Sequence, residues 1–205
     1  MGGFIKKNMV QNPYQNALLP APVGGGYSDP DYWIWCGSVV QGEDGAYHMF
    51  ASRWPKDLGF GANWLFNCEI VRASSKNPEG PYTFQEVVLG RRGRTFFDGM
   101  NVHNPYIRKW NQTYYLYYMG TTFGGPIPGP GDEVDSSRFT EVWNRKRIGL
   151  ATAPSVFGPW TRCDEPLISP RDCSHWDCTA TTNPAVAIQP DGTTYMLYKS
   201  RSFAD

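Results

Sequence analysis

The stretch Asp44-Gly45-Ala46-Tyr47-His48-Met49-Phe50 reads as a tight turn that leads into a strand of aromatic and β-prone residues. The same pattern returns twice further along the chain, as Asn111-Gln112-Thr113-Tyr114-Tyr115-Leu116-Tyr117 and as Asp191-Gly192-Thr193-Thr194-Tyr195-Met196-Leu197-Tyr198. Three copies of one turn-and-strand unit predict a repeat architecture built from β-strands.

A second repeated element follows the first two copies. Ala73-Ser74 with Gly80-Pro81-Tyr82-Thr83 corresponds to Ala151-Thr152 with Gly158-Pro159-Trp160-Thr161. Each unit then holds about four antiparallel strands, which is typical of a β-propeller blade. We therefore predict an all-β fold, with an extended lead-in over 1–26 and a partial propeller over 27–205, whose blades span about 27–90, 96–170 and 175–205.

The length of the chain fits only part of such a ring. Its 205 residues hold about two and a half blades of this size, whereas a closed propeller has at least about four. We therefore expect a five-bladed architecture that is truncated here, with missing blades or a partner chain closing the ring.

Composition excludes several classes of protein. Aromatic residues make up 15% of the chain, and 22 Gly and 17 Pro accompany them, which favours strands and turns over helix bundles. Lys and Arg together number 19, as do Asp and Glu, so a nucleic-acid partner is not expected. We find no transmembrane-length apolar stretch and no secretory signal peptide, so a membrane is not expected and localisation stays open.

Three aspartates recur at one place in the repeat. Asp31 precedes Gly37-Ser38, Asp98 precedes Asn104-Pro105, and Asp177 precedes Asn183-Pro184, each by six residues. Because the innermost strands of a propeller run along its axis, we expect these carboxylates to meet in one pocket. Carboxylates with separated pKa values are what glycosidic bond cleavage requires. The alternative is that these aspartates cap turns and bind loop amides.

Other residues near these positions suit the binding of a sugar, whose apolar faces stack on aromatic rings and whose hydroxyls need polar partners. The same aromatic residues could instead pack the core, and the arginines could either bind a substrate carboxylate or pair with aspartates of the fold. The candidates are Trp35, Trp54 and Trp176 for stacking, His103, Asn104 and Asn183 for hydrogen bonds, and Arg53 and Arg201 for an anion.

The cysteines do not form a recognisable metal motif. Cys173 and Cys178 flank His175, but their spacing is not that of a zinc finger or ribbon. We expect structural or incidental thiols and no metal ligands among the five cysteines.

The third unit carries a family resemblance. Its run Ile148-Gly149-Leu150-Ala151-Thr152-Ala153, followed by Gly158-Pro159-Trp160, Trp176-Asp177, Asn183-Pro184 and Asp191-Gly192, resembles the five-bladed β-propeller glycoside hydrolases of families 43, 32, 68 and 117. The resemblance spans about residues 27–201. It implies a glycosidase that removes terminal sugars from an oligo- or polysaccharide by carboxylate acid/base chemistry.

The resemblance also implies roles for individual residues. Asp31 matches the first-blade general base or nucleophile, with Asp29 of the Asp29-Pro30 pair as the alternative. Asp98 or Asp177 would modulate the pKa of another carboxyl group or bind the sugar. The general acid is expected outside this chain. No cofactor is expected beyond a structural Ca²⁺ in the central channel, which His103 would approach.

Two other functions stay open at this point. One is a propeller glycoside phosphorylase, for which Arg53 and Arg201 are candidate phosphate ligands. The other is a non-catalytic carbohydrate-binding propeller or an inactive fragment.

Overall fold

The protein is described by a computed structural model over residues 17–201. These residues form two four-stranded antiparallel sheets and one two-stranded sheet. The predicted all-β fold of two and a half propeller blades is confirmed. No helix within 17–201 has the length and apolar character needed to cross a bilayer.

Each sheet is built from consecutive strands, as in a propeller blade. The first blade contains β1 (Tyr32–Gln41), β2 (Tyr47–Pro55), β3 (Glu69–Ser75) and β4 (Thr83–Leu89). The second contains β5 (Asn101–Trp110), β6 (Thr113–Thr121), β7 (Arg147–Ala153) and β8 (Thr161–Arg162), and the third contains β9 (Thr182–Ile188) and β10 (Thr194–Lys199).

The repeated turn has a local backbone cause. Gly45, Asn111 and Gly192 have φ values of 79°, 53° and 90°, which is the left-handed region that Gly and Asn enter at the lowest cost. Each of these residues lies where an innermost strand turns back into the second strand of its blade. The Asp-Gly and Asn-Gln pairs therefore fix the hairpins that start all three blades.

Two short helices interrupt the loops between second and third strands. α1 (Trp64–Asn67) precedes β3, and α2 (Ser136–Asn144) precedes β7. The side chain of Asp135 caps α2 by accepting a hydrogen bond from the Arg138 amide at 2.9 Å. A small apolar cluster joins the two loops, and its buried members are Leu65, Phe66, Met100, Phe123 and Val142.

The main core lies between the first two blades and holds them face to face. Its fully buried members come from both sheets, including Phe50 and Ile70 of the first blade and Ile107 and Leu116 of the second. Polar contacts reinforce this interface, since the Ser38 hydroxyl accepts from the Ile107 amide at 3.1 Å and Glu43 accepts from the Tyr114 hydroxyl at 2.7 Å. The innermost strands β1, β5 and β9 consequently lie side by side.

The last residues of the lead-in are attached to the first blade. The Gly26 amide donates to the Glu79 carbonyl at 2.7 Å, and the Gly26 carbonyl accepts from the Tyr82 amide at 2.8 Å. The rest of the predicted lead-in up to residue 16 lies outside the described residues.

Candidate functional site

A cavity of about 220 Å³ opens where the three innermost strands begin. The three strands contribute matching positions to it, because Trp35, His103 and Thr182 each precede the bulge of their strand. Its wall consists of Trp35, Ser52, Trp54, Trp64, Cys68, His103, Asn104, Met119, Trp143, Lys146, Thr182, Asn183 and Lys199.

Tryptophans form one side of this central cavity. The ring centroid of Trp35 lies 5.9 Å from that of Trp54 and 5.8 Å from that of Trp64. Trp54 is completely buried, and its indole N–H donates to the Gly59 carbonyl at 3.2 Å. Trp35 keeps 41% of its surface exposed. Trp35 is therefore available to a ligand, whereas Trp54 is the support behind it.

Amide and imidazole groups form the polar side. The Asn104 amide nitrogen donates to the Asn183 side-chain oxygen at 3.3 Å, and the Asn104 side-chain oxygen lies 3.2 Å from His103 Nδ1. His103 Nε2 is buried and has no hydrogen-bond partner among the described residues. Burial and the nearby Lys146 charge lower the pKa of His103 well below its usual range. The neutral ring, with its Nδ1–H on Asn104, then leaves Nε2 as a free acceptor.

Sequence reasoning missed the two lysines of the cavity. Lys146 follows α2 and is almost fully buried, and Lys199 ends β10. Lys146 belongs to no repeated motif, and the first blade has Ala51 at the position of Lys199, so no sequence signal distinguishes these two residues from surface lysines. Their placement depends on how the loop containing α2 folds back over the strands.

The three predicted aspartates do not meet in this cavity. Each innermost strand carries a bulge whose first residue has a positive φ: 52° at Cys36, 50° at Asn104 and 53° at Asn183. Cys36, rather than Gly37, is therefore equivalent to Asn104. Asp98 and Asp177 are equivalent to each other, but the matching position in the first blade is Pro30. The predicted equivalence of Asp31 was wrong by one residue, and such a slip changes the face of a strand.

Asp98 is buried inside the second blade. Its carboxylate accepts from Arg92 at 2.7 Å, from the Tyr118 hydroxyl at 2.7 Å and from Arg162 at 3.4 Å. Gly120 makes room for it, because a Cβ at Gly120 would lie 2.2 Å from that of Asp98. The Tyr118 contact matters for the cavity, since Tyr118 lies opposite the bulge that contains Asn104.

Asp177 repeats this arrangement in the third blade. It accepts from Arg171 at 2.8 Å and from the Tyr198 hydroxyl at 2.7 Å, and Tyr198 lies opposite the bulge that contains Asn183. Burial opposes its ionisation, but the hydrogen bonds from Tyr198 and Arg171 outweigh burial and lower the pKa of Asp177. Trp176 stacks on Tyr198 with ring centroids 5.3 Å apart and does not line the central cavity.

Asp29 and Asp31 lie at the surface before β1. The Asp29 carboxylate accepts from the Asp31 amide at 2.9 Å, and Lys56 Nζ donates to the Asp29 carbonyl at 2.7 Å. Asp31 is exposed and lines a shallow surface cavity with Lys56 and Asp57. The two cavities have no lining residue in common.

The two arginine candidates have partners within the fold. Arg53 Nε donates to Glu69 at 2.8 Å, and its guanidinium lies over the rings of Tyr32 and Phe84. Arg201 donates to the Asn144 side-chain oxygen at 2.9 Å and lies 4.2 Å from the Trp143 ring centroid. Both are contacts within the fold. A structural role of this kind was the alternative to anion binding in the sequence analysis.

Two solved structures with a similar fold are glycoside hydrolases. A family 117 glycoside hydrolase from the marine bacterium Zobellia galactanivorans is 21% identical, with a TM-score of 0.62 over 84% of this chain and 49% of its own. A family 43 β-xylosidase/α-arabinofuranosidase from a compost microbial metagenome, in complex with xylotriose, is 19% identical, with a TM-score of 0.52 over 82% of this chain and 43% of its own.

This chain has the fold of the β-propeller glycoside hydrolases. It spans about half of the length of the β-propeller glycoside hydrolases described above. No protein-family model matches the chain, and no curated protein sequence matches it.

The Ca²⁺ that the propeller glycoside hydrolase resemblance implies does not fit the central cavity. Calcium requires several oxygen ligands, usually with carboxylates among them. The described wall presents two lysines and no carboxylate, and within 17–201 no group of three His, Cys, Asp or Glu side chains is arranged to hold a metal ion. All five cysteines are free thiols.

Proposed function

We propose that this chain belongs to a glycoside hydrolase that binds a terminal sugar in the central cavity. The observation that carries the proposal is that the partly exposed Trp35, which stacks on Phe60, lines the same cavity as Asn104, Asn183 and His103. An aromatic platform facing hydroxyl-binding groups is the arrangement that a sugar ring needs.

The size of the cavity favours a terminal sugar. Its volume of about 220 Å³ is below the range of roughly 300–1,000 Å³ that is usual for drug-sized ligands. One pyranose or furanose ring suits such a space better than the interior of a chain. The sugar linkage and the stereochemistry of cleavage require the second carboxylate, which the described residues do not place.

Asp31 is the proposed general base or nucleophile, with Asp29 as the alternative. Neither carboxylate lines the central cavity, and Asp31 lines the separate surface cavity, so this assignment is supported by the family resemblance and by the lack of an ion-pair partner for either carboxylate among the described residues. Asp98 and Asp177 are proposed as positioning residues, because each binds the tyrosine opposite a cavity asparagine.

The test is hydrolysis of a panel of chromogenic glycosides by the purified protein with its complete propeller, in one chain or with the partner chain that closes the ring, and by its Asp31→Asn variant. Asp57→Asn is the matched control, because Asp57 lines the same surface cavity. We expect release of the chromophore by the wild type and by Asp57→Asn, and a loss of about 10²-fold or more in Asp31→Asn. Full activity of Asp31→Asn together with loss in Asp29→Asn would move the role to Asp29. Full activity of both variants would contradict the assignment.

A second candidate is a non-catalytic carbohydrate-binding propeller. It is favoured by one observation, that the described wall of the central cavity has no carboxylate. Calorimetric binding of sugars, without release of reducing ends from any oligosaccharide that binds, would support this candidate over the hydrolase.

A further inference from the structure

The central cavity has an unbalanced positive charge. Lys146 and Lys199 both line it, and Asp and Glu are absent from its described wall. Arg201 lies close enough to Lys146 to disfavour a second positive charge there. A neutral sugar would leave Lys199 and the ammonium form of Lys146 without a counter-ion among the described residues.

Lys146 is the most unusual of these groups. It is 2% exposed, and its ammonium lies 4.0 Å from the Trp143 ring centroid and 4.7 Å from that of Trp64. No described carboxylate or carbonyl accepts a hydrogen bond from its Nζ. The aromatic rings compensate part of the lost hydration of the ammonium form, which has no acceptor for its three N–H groups among the described residues.

The neighbours of Lys146 indicate which other chemical groups a ligand of the central cavity must have. His103 Nε2 is a buried acceptor without a described donor, and Asn104 and Asn183 present amide groups beside it. Trp35 offers an apolar face on the same cavity. A ligand that satisfies all of these groups has hydroxyls, an apolar ring face and one negative charge.

We propose that the central cavity selects a sugar that carries a carboxylate, as a uronic acid does, and that Lys146 and Lys199 bind this carboxylate. This inference rests on the proposed function, because it names the substrate class of the same cavity. A charged ammonium–carboxylate contact that is shielded from water contributes more than a neutral hydrogen bond. Burial, Lys199 and Arg201 lower the pKa of Lys146 to about 6, so a bound carboxylate should also draw a proton onto it.

The test is calorimetric titration with matched pairs of sugars: glucuronic acid with glucose, galacturonic acid with galactose, and inorganic phosphate as a separate anion. The variants are Lys146→Met and Lys199→Met, which keep side-chain length and remove the charge. Lys109→Met is the matched control, since Lys109 lies over the Tyr114 ring outside the central cavity.

We expect at least one acidic sugar to bind roughly tenfold or more tightly than its neutral counterpart. This preference should disappear in Lys146→Met, weaken in Lys199→Met and persist in Lys109→Met. Binding to the wild type should strengthen from pH 8 to pH 6, because the ammonium form of Lys146 becomes more populated. His103, Lys199 and Arg201 face Lys146, and the same pH series in Lys146→Met separates their titration from its own.

Equal affinity for acidic and neutral sugars, no binding of acidic sugars, or a Lys146 dependence seen with phosphate alone would overturn the inference. Its failure is distinguishable from that of the hydrolase proposal. Hydrolysis of neutral glycosides alone would leave the hydrolase and remove the acidic substrate. Selective binding of acidic sugars without hydrolysis of their glycosides would support the acidic ligand and contradict the hydrolase.

Discussion

Asp98 does not line the central cavity, but it binds Tyr118, which lies opposite the bulge that contains Asn104. It is fully buried and balances Arg92 and Arg162. Asp98→Asn leaves Arg162 without its counter-ion and leaves Arg92 with only the exposed Asp164, so we expect a loss of about 3 kcal/mol or more in the free energy of unfolding. Urea denaturation measures this loss.

The matched control for Asp98 is Asp31→Asn, which removes an exposed carboxylate and should leave the urea midpoint nearly unchanged. Asp177→Asn should destabilise the protein less than Asp98→Asn, because Arg171 keeps 49% of its side chain exposed and can return to water. Equal stability of Asp98→Asn and the wild type would contradict the structural role of Asp98.

Lys146 leads to a second prediction for a single residue, which concerns the pH dependence of stability. Its pKa is lowered to about 6 in the folded protein, whereas an unfolded lysine titrates near 10.4. Between these values the unfolded chain binds more protons, so stability rises with pH across this window. Lys146→Met removes this dependence and should stabilise the protein by about 2 kcal/mol or more at pH 6.

The advantage of Lys146→Met should shrink as the pH rises towards 10. Urea midpoints of wild type, Lys146→Met and Lys109→Met at pH 6, 8 and 9.5 test this. An advantage that is the same at every pH would show that Lys146 is not the titrating group.

The sequence identifies some cavity residues and misses others for physical reasons. Asn104 and Asn183 were predicted as partners for sugar hydroxyls near the repeated aspartates, and in the structure their Asn-Pro pairs form the bulges of two inner strands. Trp35 and His103 lie one position before the bulge and enter the cavity with it. Lys146 and Lys199 are not marked by such a pair. Lys146 is buried between Trp143, which is three residues away, and Trp64 of α1, which is distant in sequence.

At the scale of elements, the bulge of β1 differs from those of β5 and β9. Its first residue is Cys36 at a φ of 52°, where the other two blades use Asn. Asn tolerates this left-handed region better than other residues with a side chain. We expect Cys36→Asn to raise stability by about 0.5–1 kcal/mol.

Cys36→Ala is the control for this expectation, because Ala removes the thiol without relieving the backbone strain. Thermal unfolding followed by circular dichroism distinguishes the variants. A lower melting temperature for Cys36→Asn than for Cys36→Ala would contradict the equivalence of the three bulges.

The bulges also explain why the strands were easier to predict than their alignment. The turn signals at Asp44-Gly45 and Asp191-Gly192 fix where each hairpin lies, and all three hairpins are present. The sequence alignment matched Gly37 with Asn104, whereas the bulge residue of β1 with a positive φ is Cys36. The position of Asp31 was therefore shifted relative to the other two aspartates.

At the scale of the whole molecule, stability should be uneven between the blades. β2 and β6 are second strands whose buried residues join the core between the first two blades. β10 is the edge of a two-stranded sheet, and Tyr195 and Leu197 on it are exposed. Hydrogen exchange should therefore be slowest in β2 and β6 and at least about tenfold faster in β10. Uniform protection of all three blades would contradict this order.

The central claim is that the cavity where the three inner strands begin holds the sugar. The most direct test is a crystal structure of the protein soaked with glucuronic acid, with glucose as the comparison. The account predicts a sugar ring on Trp35 with hydroxyls at Asn104, Asn183 and His103 Nε2, and a carboxylate at Lys146. A sugar found instead in the surface cavity beside Asp31 and Asp57, with the central cavity free of sugar, would contradict it.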